Sequence, residues 1–233
     1  MVKRDEGADA STSTSTERIR DRLRADILDG RLAIGARLKI VELANRYESS
    51  QMPVREALLQ LQGEGLVRIA PNRGAEVRAV DERFVRNIYD IREILEAFFA
   101  RRAAVVADRG DIEELNAIQS AYERYDAAGD VAMRITLNLR FHTCIYRLAG
   151  NEDAQEIIDK HAVVTRLLTR RHNHTPARIR QIAEQHRALI AAIAAHDGEA
   201  AGDIAARHMR DARDALLEGM RRDTPEAAPR QAS

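Results

Sequence analysis

Three of the seven histidines in this 233-residue chain lie on apolar helical stripes, where their imidazole rings could bind a metal ion. The residues on these stripes are Ile135, Leu139, Ile145 and Ala149 for His142, Ile182, Leu189, Ile190 and Ile193 for His186, and Ile204, Ala212 and Ala215 for His208. Burying an imidazole costs free energy unless its nitrogens have partners. One divalent ion would satisfy all three rings, whereas the alternative is three separate core histidines bonded to a backbone carbonyl or a neighbouring Asn.

The other four histidines have less specific patterns. His161 shares an inward stripe with Ile157, Val164 and Leu168. His172 and His174 lie in a polar loop and His196 lies near a helix end, so we expect solvated or helix-capping roles for these three.

The elements that must position the histidines are helices. After Asp81 the strand pattern disappears and Ala, Leu, Ile, Arg and Glu dominate. The predicted helices run from Asp81 to Ala107, from an Asp111/Glu114 capping box to Gly129, from Asp130 to Ala149, from Asn151 to about Arg171, from Thr175-Pro176 to Gly198, and from Glu199 past Met220. Six helices with short loops predict an all-α antiparallel bundle over residues 81–222.

The first part of the chain predicts a helix-turn-helix. A stripe within Glu17–Asp29 ends at Gly30, and two shorter stripes follow, one with Ile40, Leu43 and Ala44 and one with Val54, Ala57, Leu58 and Leu61. Ser50 could cap the last helix through its hydroxyl, and Pro53 is tolerated in its first turn. Ser50, Gln51, Met52 and Arg55 would then face outward, able to meet phosphates or base edges.

Two β-prone runs follow, Leu66–Ala70 and Ala75–Val80, joined by Pro71-Asn72-Arg73-Gly74. A hairpin with a basic tip predicts a wing, so Asn72, Arg73 and Gly74 are further candidates for DNA contact. Residues 16–80 would then form a winged helix-turn-helix domain, and the whole chain would be mainly α.

Composition limits the remaining possibilities. The net charge is zero, yet residues 17–80 hold 12 basic and 9 acidic side chains. Such a modest excess predicts weak, salt-dependent DNA binding by one copy, which favours two copies acting together.

The single Cys144 excludes an internal disulfide and is expected to be buried. Residues 1–15 and 223–233 read as disordered tails, and the absence of a long apolar run or an export signal predicts a cytoplasmic protein.

The N-terminal residues resemble the GntR transcriptional regulators. The resemblance covers about 65 residues and rests on Gly35, Arg37, Leu38, Leu43, Ala44, Ser50, Pro53-Val54-Arg55-Glu56-Ala57-Leu58, Leu61, Gly65-Leu66-Val67, Arg73-Gly74 and Val77. Gln51 stands where the family usually has Arg. Because Gln reads adenine whereas Arg favours guanine, the usual half-site is not assumed.

In this context Arg37, Arg55 and Arg73 are expected to contact DNA. For Arg46, DNA contact and an ordinary surface position are equally good interpretations. Arg55 has a further alternative, an ion pair with Glu56 that would hold the domain together; an exposed pair contributes only about 0–1 kcal/mol.

The second half resembles the FCD effector domain of the FadR-type branch of that family, over about residues 84–220. The resemblance rests on Asn138, Phe141-His142, Ala149-Gly150-Asn151, His186 and His208. It implies a divalent metal held by Asn138 and the three histidines. An amide oxygen is a poorer ligand than a carboxylate, and this donor set favours zinc or nickel, with manganese as an alternative. It also implies that Arg92 binds a carboxylate effector, although a salt bridge with Glu93 or Glu96 is an equal alternative.

Together these features predict a homodimeric, ligand-responsive regulator that binds a roughly palindromic operator and is released by a small organic acid. Two rival classes are a metal-dependent hydrolase using the three histidines and a constitutive architectural DNA-binding protein. No HExxH motif, nucleophile elbow or Gly-rich phosphate loop is present, which disfavours the enzyme.

Overall fold

The computed structural model describes residues 14–70, 74–78, 81–172 and 174–223. The chain divides into two compact units, Met1–Ala79 and Val80–Ser233. Most of the two predicted tails lies outside the described residues, as do Asn72 and Arg73 at the predicted wing tip. Among the described helices, none combines the length and the apolar character needed to span a bilayer.

The first unit contains three helices and a small sheet. Its elements are α1 (Ser15–Leu28), β1 (Arg37–Leu38), α2 (Ile40–Arg46), α3 (Gln51–Gly63), β2 (Val67–Ala70) and β3 (Gly74–Val77). The antiparallel sheet has the order β1-β3-β2, with Val67 opposite Val77 and Ala70 opposite Gly74. Fully buried Leu23, Val54 and Leu61 join α1 to α3 in the core. The predicted winged helix-turn-helix is confirmed.

Three local predictions for this unit were inexact. The first helix begins at Ser15, because a capping box between Thr14 and Glu17 satisfies the amides of its first turn. Ser50 is the N-cap residue of α3, but its hydroxyl makes no capping hydrogen bond. The wing strands are shorter than predicted, and β1, whose two residues are too few to show a period, was not predicted.

The second unit is a bundle of six helices in the described part of the chain. They are α4 (Glu82–Val106), α5 (Arg109–Ala127), α6 (Val131–Ala149), α7 (Glu152–Arg171), α8 (Pro176–Ala194) and α9 (Gly198–Asp223). Asp81, Asp130, Asn151 and Thr175 cap helices as their positions predict. The capping box of α5 is Asp108/Asp111 rather than Asp111/Glu114, so that helix starts earlier. Helix α8 ends at Ala194, because His196 adopts a positive φ of 54° before Gly198.

Helix α4 lies at the centre of this bundle and packs most extensively against α9. The core contains Phe99, Leu115, Phe141 and Ile193, and Cys144 is buried in it as expected. Helix α9 approaches α4 closely at Gly202, where an added Cβ would lie 2.6 Å from Nε of Arg101. Three helices that surround this core, α6, α8 and α9, each carry one of the inward histidines.

Candidate functional site

The structure brings His142, His186 and His208 together from α6, α8 and α9. One ring nitrogen of each lies within 4.8 Å of those of the other two, and all three side chains are buried. The ring of His186 stacks on Phe141, with the ring centres 4.0 Å apart. The three helices pack their apolar faces against the same core. Because each histidine lies on one of those faces, the three rings meet there.

A hydrogen bond orients each imidazole through its Nδ1 atom. His142 donates to Oε2 of Glu96 at 3.1 Å, His186 to Oε1 of Gln119 at 2.8 Å, and His208 to Oε1 of Gln185 at 2.8 Å. These three acceptors leave the lone pair of every ring on Nε2. Outer partners of this kind are what fix the tautomer and direction of metal-binding histidines.

The two glutamine amides are themselves held in place. Nε2 of Gln119 donates to Glu123 at 2.7 Å, and Nε2 of Gln185 donates to Asp211 at 2.6 Å. Each amide therefore turns its carbonyl oxygen to a histidine, which must be the donor. The sequence did not reveal these partners, because each histidine and its glutamine lie on different helices.

The donor atoms suit a metal ion. Nε2 of His142 and Nε2 of His186 are buried and have no hydrogen-bond partner among the described residues. Burial, reinforced by neighbouring positive charge, lowers the pKa of His186 and His208 well below its ordinary value. The rings of His186 and His208 are therefore neutral, which is the form that binds a metal, and an ion would satisfy the unpaired Nε2 atoms of His142 and His186.

Glu96 connects this cluster to Arg92. The carboxylate accepts hydrogen bonds from His142, from the hydroxyl of Tyr146 and from Nη2 of Arg92, the last at 2.8 Å. Burial opposes the charged form, but His142, Arg92 and Tyr146 hold the pKa of Glu96 at about 2. Of the two salt bridges considered for Arg92, the one to Glu96 is present, and Glu93 instead pairs with Arg210. Nε of Arg92 is buried without a partner among the described residues.

A cavity of about 110 Å³ adjoins the histidines, and Asn138, His142, His208 and Arg92 line it. Asn138 is half-buried there, one helical turn from His142. The cavity wall also includes residues that sequence reasoning did not single out, namely Tyr89, Tyr122, Arg134, Thr165 and Arg178. Their spacing held a clue, since Arg134 precedes Asn138 by four residues and Arg178 precedes His186 by eight, both on the inward helix face.

The remaining histidines differ in their environments. His174 lines the cavity instead of being solvated, and burial, with the charges of Arg178 and Arg134, lowers its pKa to about 4. His161 is half-buried against the edge of Phe84, although Ile157 on the same predicted stripe is 43% exposed. The ring of His196 lies 2.8 Å from the carbonyl oxygen of Ala104 in the last turn of α4, in agreement with a capping role.

The first unit presents the residues predicted to meet DNA at the start of α3. Ser50, Gln51, Met52 and Arg55 are exposed, and the Met52 side chain is 62% exposed. Among the described residues no ion pair involves Arg55, while Glu56 accepts a hydrogen bond from Thr16. The alternative of an Arg55–Glu56 pair therefore has no support. Arg37 on β1 and Gly74, with a φ of 79°, are also exposed.

Arg46 has a structural partner, unlike Arg55. Its Nη2 lies 2.8 Å from Oδ2 of buried Asp26, which also accepts from the Tyr47 hydroxyl at 2.7 Å and from Arg31 at 2.6 Å. Burial alone would raise the pKa of Asp26, but these donors lower it. Arg46 thus helps to neutralise a buried carboxylate, a structural role that neither interpretation from the sequence included.

Comparison with known proteins identifies both units. Residues 15–77 match the model of the bacterial regulatory proteins of the gntR family, and residues 87–211 match the FCD domain. The chain belongs to the GntR family. This GntR-family chain is 32% identical over 200 residues to BphR of Paraburkholderia xenovorans, described as an uncharacterized HTH-type transcriptional regulator; the match covers 81% of the chain and 79% of BphR.

Two further relatives of this GntR-family regulator come from Escherichia coli. The HTH-type transcriptional repressor RspR is 28% identical over 193 residues, covering 81% of this chain and 83% of RspR. The structure of McbR/YncC superposes with a TM-score of 0.65 and 25% identity, covering 90% of this chain and 100% of McbR/YncC. The chain is therefore a DNA-binding transcriptional regulator and not an enzyme, so the hydrolase alternative is set aside.

Proposed function

We propose that this regulator is a repressor that releases its operator when a small carboxylate binds beside a metal ion in the second unit. The observation that carries the proposal is a cluster of three oriented imidazoles beside a cavity that is lined by two of them, His142 and His208, and by Arg92. Relatives that are repressors support the direction of the response. A regulator of operator DNA acts in the cytoplasm.

The metal would be held by His142, His186 and His208, with Asn138 as a fourth ligand. Three imidazoles and one amide suit zinc or nickel, with manganese as the alternative. All four ligands are neutral, so the ion would keep its full charge and supply a Lewis-acidic position for an anion. Glu96, Gln119 and Gln185 would hold the three rings in the binding orientation.

The carboxylate effector would lie in the 110 Å³ cavity. Arg92 could contribute its unpaired Nε atom, while Nη2 stays bonded to Glu96. A charge-assisted hydrogen bond of this kind is stronger than one between neutral groups. The effector would therefore touch the metal and a guanidinium that is already anchored.

Operator recognition would use the exposed residues of the first unit. Ser50, Gln51, Met52 and Arg55 begin α3, which would enter the major groove, while Arg37 would contact the backbone. Asn72, Arg73 and Gly74 would contact DNA from the wing. Arg46 would contribute chiefly by holding Asp26, with any phosphate contact as a second role.

A homodimer would supply the second half-site. The side chains of Ile91, Ile94, Val105 and Val106 on α4 are 42–74% exposed, which is unusual for apolar residues of this size on one helix. A second copy that covered this face would remove it from water. Two linked DNA-binding units would then compensate for the weak charge excess of one.

The test combines metal analysis with operator binding. Duplexes selected by the purified protein from a random pool would serve as the operator, and binding would be measured with and without a panel of small carboxylates. We expect metal in the wild-type protein, acid-dependent release of the duplex, and loss of both in His208→Ala but not in the control His196→Ala. Indifference of the duplex complex to every acid would instead support a constitutive architectural protein.

A further inference from the structure

We infer that His174 is a further effector-binding residue and that its ring takes up a proton when the acid binds. This inference rests on the proposed function and extends it, because it adds a contact to the effector and makes the response of the regulator depend on pH. His174 lines the same cavity as His142, His208 and Arg92, but its ring nitrogens are not part of the histidine cluster.

The chain holds His174 at the start of α8. Helix α7 ends at Arg171, and Thr175 caps α8 by accepting a hydrogen bond from the amide of Arg178 at 3.2 Å. Because His174 directly precedes the capping residue, it lies at the positive end of the helix macrodipole. This position disfavours a charged imidazole and favours an anion beside it.

The ring of His174 differs from the other histidines in its hydrogen bonds. It is half-buried, yet its side chain has no hydrogen-bond or ion-pair partner among the described residues. By contrast, His142 and His208 are bonded through Nδ1, and His196 is bonded to the carbonyl oxygen of Ala104. A polar group that is withdrawn from water without a partner costs free energy, which an oxygen atom of a ligand could recover. The ring can therefore bind an acid in the cavity without breaking an existing bond.

Burial and positive charge keep the ring of His174 neutral. Burial is the larger cause, and the charges of Arg178 and Arg134 add to it, so that the pKa of His174 falls to about 4. An anion bound near the ring would offset both charges, and the pKa would return towards its ordinary value of about 6.5. The acid and a proton would then bind together in the pH range between these two values.

The two arginines are already held by the protein. The guanidinium of Arg178 donates to three oxygens at 2.7–3.3 Å, namely those of the Gln181 and Gln185 side chains and of the His208 backbone. Arg134 interacts with Asp126 and with Tyr122. Both arginines therefore repel a proton from His174 while they keep their own partners, and the imidazole is the group that gains a partner when an anion binds.

The neighbouring helices contribute further ionisable groups. The other charged side chains of the cavity wall are Arg92 on α4 and Asp159 and Arg166 on α7. His174 also lines a groove beside α9, whose charged side chains there are Asp211, Asp214, Glu218 and Arg222. The tyrosines of α4, α5 and α6 and the histidines His142 and His208 complete the cavity wall. None of these groups is a cause of the lowered pKa of His174, which leaves Arg134 and Arg178 as the charges that govern its protonation.

Calorimetry on the full-length, zinc-loaded protein would test the proton uptake. Lactate, pyruvate, butyrate and benzoate are suitable probes, since each has one carboxylate that is ionised at both pH 7.5 and pH 6.0. For the acid that binds most tightly, titrations in buffers of different ionisation enthalpy give the number of protons bound. At pH 6.0 we expect the wild-type protein to take up more than about half a proton per acid, and to bind the acid at least about threefold more tightly than at pH 7.5.

A variant separates His174 from other groups that bind protons. His174→Gln remains polar but cannot be protonated, so at pH 6.0 proton uptake should fall by at least about half a proton and affinity by at least about threefold. The control His196→Gln removes an imidazole outside the cavity and should behave as the wild-type protein. A zinc-bound water, whose pKa is about 7 in such sites, would contribute equally in all three proteins. Circular dichroism and zinc content would verify the fold.

The titration of the ring itself provides the same information without a substitution. Nuclear magnetic resonance would follow the imidazole of His174 in the wild-type protein with and without the acid. We expect its pKa to rise from about 4 to at least about 6.5 when the acid is bound. This measurement would replace the variant if His174→Gln failed to fold.

Equal proton uptake and equal affinity in the wild-type protein and His174→Gln would overturn the role of His174, and so would a ring that stays neutral at pH 6.0 with the acid bound. The proposed function would survive either result if the acid still bound and released the duplex. If none of the acids bound the zinc-loaded protein or released the duplex, both proposals would fail.

Discussion

The two candidate sites differ in how their side chains are held. In the histidine cluster every Nδ1 atom is bonded to an acceptor, and the glutamine acceptors are bonded in turn. At the start of α3, Gln51, Met52 and Arg55 are exposed and Ser50 makes no capping bond. A metal site must be preorganised in a dry interior, whereas a surface that meets DNA can remain solvated until the partner provides hydrogen bonds.

The largest effect should come from removing a ligand of the cluster. His208→Ala should lower metal content to near zero and lower the melting temperature in excess zinc, because binding at 1,000 times the dissociation constant contributes about 4 kcal/mol to folding stability. Elemental analysis and calorimetric melting would measure both. His196→Ala removes an imidazole outside the cluster, and a similar loss of metal there would contradict the assignment.

Removing an outer partner should have a smaller effect than removing a ligand. Glu96→Gln keeps the shape of the side chain but removes the charge that His142, Arg92 and Tyr146 face. We expect zinc affinity to fall by about 10–100-fold with the fold intact. Competition with a chelating dye would measure it, and wild-type affinity would show that Glu96 does not orient His142 for a metal.

The buried histidines should also make the metal-free protein sensitive to acid. Because the pKa of His186 and His208 is depressed in the folded state, the unfolded chain binds more protons below its ordinary histidine pKa of about 6.5. Their stabilisation is present above that pH and is lost as the pH falls. Each could lower the free energy of unfolding by up to about 1.4 kcal/mol per pH unit.

Urea unfolding of chelator-treated protein at pH 7.5 and pH 5.5 would test this sensitivity. His186→Gln should flatten the pH dependence. Equal stability of the wild-type protein at the two pH values would contradict neutral burial of these rings.

On the exposed surface, Arg55→Ala should weaken operator binding by about 1–3 kcal/mol and leave the melting temperature and metal content unchanged. The reason is that no ion pair within the described residues holds Arg55, so its loss removes only a contact with DNA. Anisotropy titrations at several salt concentrations would measure the change. Unchanged affinity would remove Arg55 from the DNA-contacting surface.

Arg46→Ala should affect folding stability rather than operator binding, and its effect should be the smallest of those predicted here. Its pair with Asp26 is partly exposed, and Arg31 and Tyr47 remain as partners of the carboxylate. We expect a loss of stability below about 1 kcal/mol, and a smaller change in operator affinity than for Arg55→Ala. Chemical unfolding and operator titrations of both variants would compare the two losses. A larger loss of operator affinity in Arg46→Ala than in Arg55→Ala would show that Arg46, and not Arg55, is the main DNA contact.

The buried faces and the starts of several bundle helices could be predicted from residue patterns within single segments of the sequence. The stripes around His142, His186 and His208 identified the buried faces of α6, α8 and α9, and Asp81, Asn151 and Thr175 marked helix starts. The capping box at Asp108/Asp111 was missed because Asp111 and Glu114 offered a similar spacing one turn later. Arg134 and Arg178 were missed because an arginine on a helix is usually a surface residue.

Sequence alone determined which helix faces are buried, and therefore which imidazoles must point inward, because that information repeats every three or four residues along the chain. Only the tertiary structure decided that Gln119 meets His186 and that Arg178 adjoins His208. Those pairings depend on how helices distant along the chain pack side by side, and no local period encodes them. The tertiary structure also distinguished the roles of Arg46 and Arg55, because Arg46 pairs with Asp26 on α1.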